Sequence, residues 1–160
     1  MKKVLICILI FALIFIFAGC GAKETQEEKM AEKIFKGANG RDLDIDGDKV
    51  TIKGQNDEKV TFGDNKWPSS ALAKSVPKFK YGIVSAVLES PDSVVITLES
   101  VQKNDSSTYL ETIKRDFTQD VYEINDEDMM SFSGKNNANV SVALIYMSEV
   151  LVITITSPEL

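Results

Sequence analysis

Apolar and polar residues alternate with a period of two through most of the chain beyond residue 41, and this alternation constrains the fold more than any other feature. Leu43 and Ile45, Val50 and Ile52, and Val60 and Phe62 are spaced in this way, separated by Asp, Thr and Lys. Successive side chains of an extended strand point to opposite sides, so the alternation marks antiparallel strands with one buried and one wet face. Asp46-Gly47 lies between the first two pairs and is a strong hairpin signal, because Gly takes positive φ freely. Gln55-Asn56-Asp57 separates the second pair from the third. Three strands are expected, near 42–46, 49–53 and 58–62.

The period returns further on. Phe79–Leu88 and Val94–Glu99 form the clearest hairpin, joined by Glu89-Ser90-Pro91-Asp92-Ser93, with Val94, Ile96 and Leu98 on one side of its second arm. Gly82 marks either a bulge or a close backbone approach. A strand is expected near 121–125, a short piece at 130–132, a turn at 134–137, and closing strands near 139–147 and 150–156. The last strand is apolar on both sides, as a central strand would be.

Two segments carry helical spacing. Thr25-Gln26-Glu27-Glu28 has the form of a capping box. A helix is expected from about Gln26 to Lys36, with Met30, Ala31, Ile34 and Phe35 on its apolar side and Gly37 as its stop. Asp105, Ser106, Ser107 and Thr108 offer N-caps for a second helix whose apolar face is Tyr109, Leu110, Ile113 and Phe117. The fold class is α+β: a mostly antiparallel sheet of six to eight strands, in one layer or split in two, with one or two helices packed on one face. Between the sheet segments, Gly63 to Pro77 has no sustained period. Its Trp67, held extended by Pro68, is expected to pin this connector to the core, or alternatively to contact a ligand.

Charge and composition narrow the chemistry. The chain contains no His, and its two cysteines are Cys7 and Cys20. Imidazole-based triads, zinc sites and haem ligation are therefore excluded. No GxxxxGK[ST] or GxGxxG phosphate-binding motif is present. There are 18 basic and 24 acidic side chains, a balance without the basic footprint that a nucleic-acid partner requires. Paired carboxylates are the one catalytic device left open, with Glu123, Asp126, Glu127 and Asp128 close in sequence.

Asp42, Asp44, Asp46, Gly47 and Asp48 imitate the start of a calcium loop, in which alternate oxygens converge on one ion. The twelfth position counted from Asp42 is Lys53, where such a loop needs a bidentate Glu. Alternation also places Asp42, Asp44 and Asp46 on one exposed strand face. A solvated hairpin is the expectation, and Asp42, Asp44, Asp46 and Asp48 stand only as a weak metal candidate.

The first 20 residues are of a different kind. Lys2 and Lys3 precede an uncharged run from Val4 to Ala18, which closes on Phe17-Ala18-Gly19-Cys20. This resembles the signal peptide and lipobox of bacterial lipoproteins. Carried over by position, Phe17, Ala18 and Gly19 are the signal-peptidase recognition residues and Cys20 the lipidated one; Phe17 stands where the family more often has Leu. The resemblance implies a signal peptide at 1–19, a lipidated tether at 20–24 and one α+β domain at 25–160. It also implies a covalent diacylglycerol on Cys20, with or without an N-acyl chain, and no other cofactor. The location implied is the outer face of the cell membrane. Cleavage removes Lys2 and Lys3, leaving 16 basic against 24 acidic side chains, a net charge near −8.

Over nearly all of the mature region the chain is also similar to a set of uncharacterised small lipoproteins of Gram-positive bacteria. The residues that carry the similarity are the capped helix, the acidic hairpin, Lys66-Trp67-Pro68, Val76-Pro77-Lys78-Phe79-Lys80-Tyr81-Gly82, and the helix from Tyr109 to Phe117. The similarity implies location and fold without implying chemistry. The expected function is non-enzymatic: a membrane-tethered binding or envelope-structural protein, with a small ligand-binding module or a carboxylate-based hydrolase as the alternative. The expected partners are the membrane, through the anchor, and an envelope protein or small ligand.

Overall fold

The computed structural model describes residues 32, 33, 36, 41–54 and 57–158. The expected signal peptide, the tether with Cys20 and most of the helix expected at 26–36 lie outside the described residues; Glu32, Lys33 and Lys36 are helical.

The described strands form one antiparallel sheet of nine strands. They are β1 (Asp42–Asp46), β2 (Lys49–Lys53), β3 (Lys59–Phe62), β4 (Ile83–Glu89), β5 (Ser93–Glu99), β6 (Gln119–Asn125), β7 (Met129–Lys135), β8 (Ser141–Met147) and β9 (Val150–Thr156). Helix α1 (Lys103–Ile113) falls between β5 and β6. Their spatial order is β1-β2-β3-β4-β5-β9-β8-β7-β6. The chain thus lays down a meander of β1 to β5, crosses by α1 to the far edge, and returns through a second meander that ends with β9 against β5. The expectation of six to eight strands, in one or two sheets, falls short of this single larger sheet. The sequence expectation of α+β with a helix on one face holds.

Register fixes which side chains share a face. One row crosses the whole sheet as Asp44, Thr51, Thr61, Val87, Ile96, Ile153, Leu144, Phe132 and Glu123. Its middle is apolar and its two ends are polar. Neighbouring rows on the same side add Val94, Leu98, Val142, Tyr146, Leu151, Ile155 and Met130, all buried. The side chains that cover this face are Tyr109, Leu110 and Ile113 of α1, Phe117 just beyond it, and Ala73, Val76 and Phe79 of the connector. Each such aliphatic or aromatic side chain removed from water contributes about 1.5–3 kcal/mol. A chain without a disulfide among its described residues depends on this layer.

Several local features differ from the sequence expectation for physical reasons. Helix α1 starts at Lys103 behind Gln102, which makes no side-chain cap, so Asp105 through Thr108 lie inside the helix. There Ser107 and Thr108 donate their hydroxyls back to the Lys103 and Asn104 carbonyls, and Ser106 is buried against the core. Gly134, expected in a turn, is a buried residue of β7, and the turn follows at Asn136 to Asn139. A Cβ at Gly134 would sit 3.0 Å from the Phe117 carbonyl oxygen and 3.1 Å from Phe132 Cζ. Close approach, not chain reversal, is what this Gly provides. The first arm of the long hairpin begins only at Ile83, because Gly82 takes φ +72 with Val101 and the Glu99 carbonyl packed against it. A bulge follows between Val84 and Ala86.

Tyr109 links the layers. Its hydroxyl donates to the Pro77 carbonyl at 2.7 Å, and its ring meets Phe79 edge to face at 5.1 Å. Burial pushes its phenol well above the ordinary value of 10.0. The unfolded chain then releases this proton near pH 10 while the folded chain retains it, so stability falls as pH rises above about 10. Tyr109→Phe is expected to cost about 1 kcal/mol at pH 7 through the lost hydrogen bond, and to make the alkaline fall shallower. Urea unfolding from pH 7 to 11 checks both; an equally steep alkaline fall in the variant would contradict this role.

Candidate functional site

The acidic run of the first hairpin is placed by strand geometry. Asp42, Asp44 and Asp46 share one side of β1, opposite Lys53, Thr51 and Lys49. Asp48 follows Gly47 in the hairpin loop, where Gly47 supplies φ +59. The hydrogen bond and charge of Lys36 hold the Asp42 carboxyl below its usual range. Lys53 at the twelfth position is therefore the strand partner of Asp42. Among the described residues no cluster of three or more His, Cys, Asp or Glu is placed to hold a metal ion.

The acidic residues near the β6–β7 turn do not converge on a cavity. Glu123 Oε2 accepts an ion pair from Lys114 Nζ at 3.0 Å, and Glu111 lies 3.1 Å from the same ammonium. These two carboxylates raise the Lys114 pKa, Glu123 the more strongly. Asp126, Glu127 and Asp128 are exposed. The backbone carbonyls of Asp126 and Glu127 accept from Lys103 Nζ, each at 2.7 Å. The cluster ties the two ends of α1 to the β6 edge.

Trp67 is half-buried against the core, as expected of a residue that pins the connector. It also forms one wall of an open cleft of about 250 Å³ at the β3–β4 end of the helix-covered face. Here the core has run out and the strand residues turn polar. Lys59 and Glu89 stand opposite each other on β3 and β4, and with Thr61 they form the floor. Asp64 enters from the connector, with Lys66 Nζ at 3.3 Å and Lys49 Nζ at 3.7 Å from its Oδ1. Gly63 makes this turn possible: it takes φ +71, and a Cβ there would lie 2.2 Å from the Asp48 carbonyl oxygen. Tyr81, exposed, and Tyr146, buried in the core, line no part of this cleft. Sequence reasoning singled out Trp67 but missed Lys59, Glu89 and Asp64, which only the strand register brings to it.

The opposite face of the sheet is the more unusual surface. One of its rows is Leu43, Ile52, Val60, Leu88, Val95, Thr154, Ala143, Ser133 and Tyr122; the next is Ile45, Val50, Phe62, Ala86, Thr97, Val152, Ile145, Ser131 and Ile124. Neither row contains a charged side chain, in a chain whose residues are 26% charged. The strand residues that flank these rows add Lys135, ion-paired with Asp120 of the β6 bulge at 2.8 Å, at one end and Glu99 at the other. In β1–β3 the apolar residues all point to this side, whereas in β5, β7, β8 and β9 the buried ones point to α1. The helical residues Glu32 and Lys36 border the β1 edge: Glu32 Oε1 accepts from the Ile45 N–H at 3.0 Å, and Ile45 is 3% exposed. Toward β6 the face is open, with Ile145 48%, Met147 55% and Tyr122 60% exposed.

No family model, curated protein or solved structure matches this chain.

Calcium titration of the purified protein tests the acidic hairpin. No binding tighter than about the millimolar range of weak extracellular sites is expected, since Asp42 is engaged by Lys36 and Lys53 faces it. A micromolar dissociation constant lost on Asp44→Ala would contradict this assignment.

Proposed function

We propose that this chain is a lipid-anchored extracytoplasmic protein that works by binding, not by catalysis, and holds a partner at the outer face of the cell membrane. The observation that carries this reading is the open sheet face. A soluble domain normally sets charged residues along the wet side of an antiparallel sheet. Two full rows without a charge, with Ile145 and Tyr122 exposed among them and Met147 exposed beside them, form the type of surface that marks an interaction site. The absence of His from the sequence supports binding over acid–base chemistry. The anchor rests on Phe17-Ala18-Gly19-Cys20 behind the apolar run.

The Trp67 cleft supports a second reading, a module for a small polar ligand. Trp67 offers an apolar wall, while Lys59, Lys66, Asp64 and Glu89 offer charges of both signs. Asp64 is engaged by two lysines, which suits ligand recognition better than the proton transfer a carboxylate-based hydrolase would need.

A labelled fatty acid fed to cells expressing the full chain tests the anchor. Label is expected on the wild-type protein and none on Cys20→Ser, because a serine hydroxyl cannot form the thioether to diacylglycerol, whose two acyl chains would hold the protein stably at a membrane. Equal labelling of the two would contradict the proposal.

A further inference from the structure

The open face between β4 and β6 has the chemistry of an interface between like surfaces. Its contact residues on the central strands are Val95, Thr97, Val152 and Thr154, flanked by Leu88 and Ile145. These are compact or β-branched side chains of the type that line the inner faces of two packed sheets. Six strands spaced about 4.8 Å apart, each of seven residues at about 3.3 Å, span roughly 29 by 23 Å, or about 650 Å². Two such faces bury about 1,300 Å² together, within the range of about 1,200–2,000 Å² for specific interfaces.

Other occupants fit this area less well. The chain's own segment 20–31 carries Lys23, Glu24, Glu27, Glu28 and Lys29, with Met30 its one large apolar residue, too little apolar surface to cover a face of this size. The helical residues that follow are engaged at the opposite edge, through Glu32 to Ile45 and Lys36 to Asp42. A bilayer surface selects Trp and Tyr together with Lys or Arg for its interfacial contacts; the two rows offer Tyr122 alone, with no Trp and no basic residue to meet anionic headgroups. Within the two rows a partner recognised through charge finds none to pair with, and at the rim Lys135 is already engaged by Asp120. A surface that is neutral and uniform suits its own copy, since no like charges meet when it faces itself.

We propose that this face packs against the same face of a second copy, giving a face-to-face homodimer at the membrane. The inference deepens the binding reading above and rests on it. The net charge near −8 outside the face opposes association in solution. Confinement of both copies to one membrane raises their effective concentration and favours a contact too weak to persist in dilute solution.

Cross-linking in membranes tests this directly. The full chain carries cysteine only at positions 7 and 20, so with the Cys20 sulfur held in the lipid thioether, Cys7→Ser with Thr97→Cys leaves one reactive thiol, at the centre of the face. Two packed sheets lie about 10 Å apart, within reach of a short bis-maleimide. A covalent species of two copies is expected from Thr97→Cys, and none from Asn104→Cys on the exposed side of α1. Adding Ile145→Lys, which places one lysine from each copy in the interface, is expected to lower the cross-linked fraction at least about tenfold while the thermal melt stays cooperative. Equal cross-linking at 97 and 104, persistence with Ile145→Lys, or a Thr97→Cys adduct of any other mass would overturn the proposal. Loss of the dimer with fatty-acid labelling intact would overturn the dimer alone and leave the anchor standing.

Discussion

Backbone pairing in one nine-stranded antiparallel sheet decides nearly everything else about this molecule. Side chains alternate strictly between faces, so a single register assigns every strand residue to one side or the other. The row from Val87 through Ile96, Ile153 and Leu144 to Phe132 builds the floor on which α1 and the connector pack. A slip of one residue in β5 or β9 would bring Thr97 and Val152 into the core and expose Ile96 and Ile153. The close approach at Gly134 and the Gly63 turn are consequences of that arrangement. Each lets a neighbouring backbone come nearer to the sheet than a side chain would permit.

The two meanders use the same sheet differently. From β4 to β9 the buried residues face α1. From β1 to β3 the apolar residues face away from it, and the helix side carries Asp42, Asp44, Asp46, Lys49 and Lys53. This reversal generates both candidate surfaces. On one side it ends the core near β3 and leaves the polar cleft beside Trp67. On the other it prolongs an uncharged face from β1 to β6. The proposed binding role draws on that face more than on the cleft, where Asp64 is already paired with lysines.

Much of the strand layout was legible because alternation is a local property. The first hairpin, the second arm of the long hairpin and the last strand stand where the sequence places them. Strand β7 was not fully legible, since its core side runs Met130, Phe132, Gly134 and Gly134, with no side chain to mark the face, imitates a turn signal. The number of sheets was illegible for a different reason. Alternation says that a residue is on a face, but not which face, and not which strands are neighbours. The inversion at β1–β3, the Lys59–Glu89 pair and the uncharged rows all depend on pairings between distant segments. For the same reason Trp67 was visible as the one tryptophan in the chain, while its polar companions were not.

The central claim is that adjacent residues of one strand face two different environments, a helix-covered core and an open uncharged surface. Leu144 is 0% exposed and Ile145 is 48% exposed on β8. Urea unfolding of Leu144→Lys and Ile145→Lys at low protein concentration measures that difference directly. Burying a lysine at 144 is expected to cost about 4 kcal/mol or more, and placing one at 145 less than about 1 kcal/mol. Similar losses at the two positions would contradict the account.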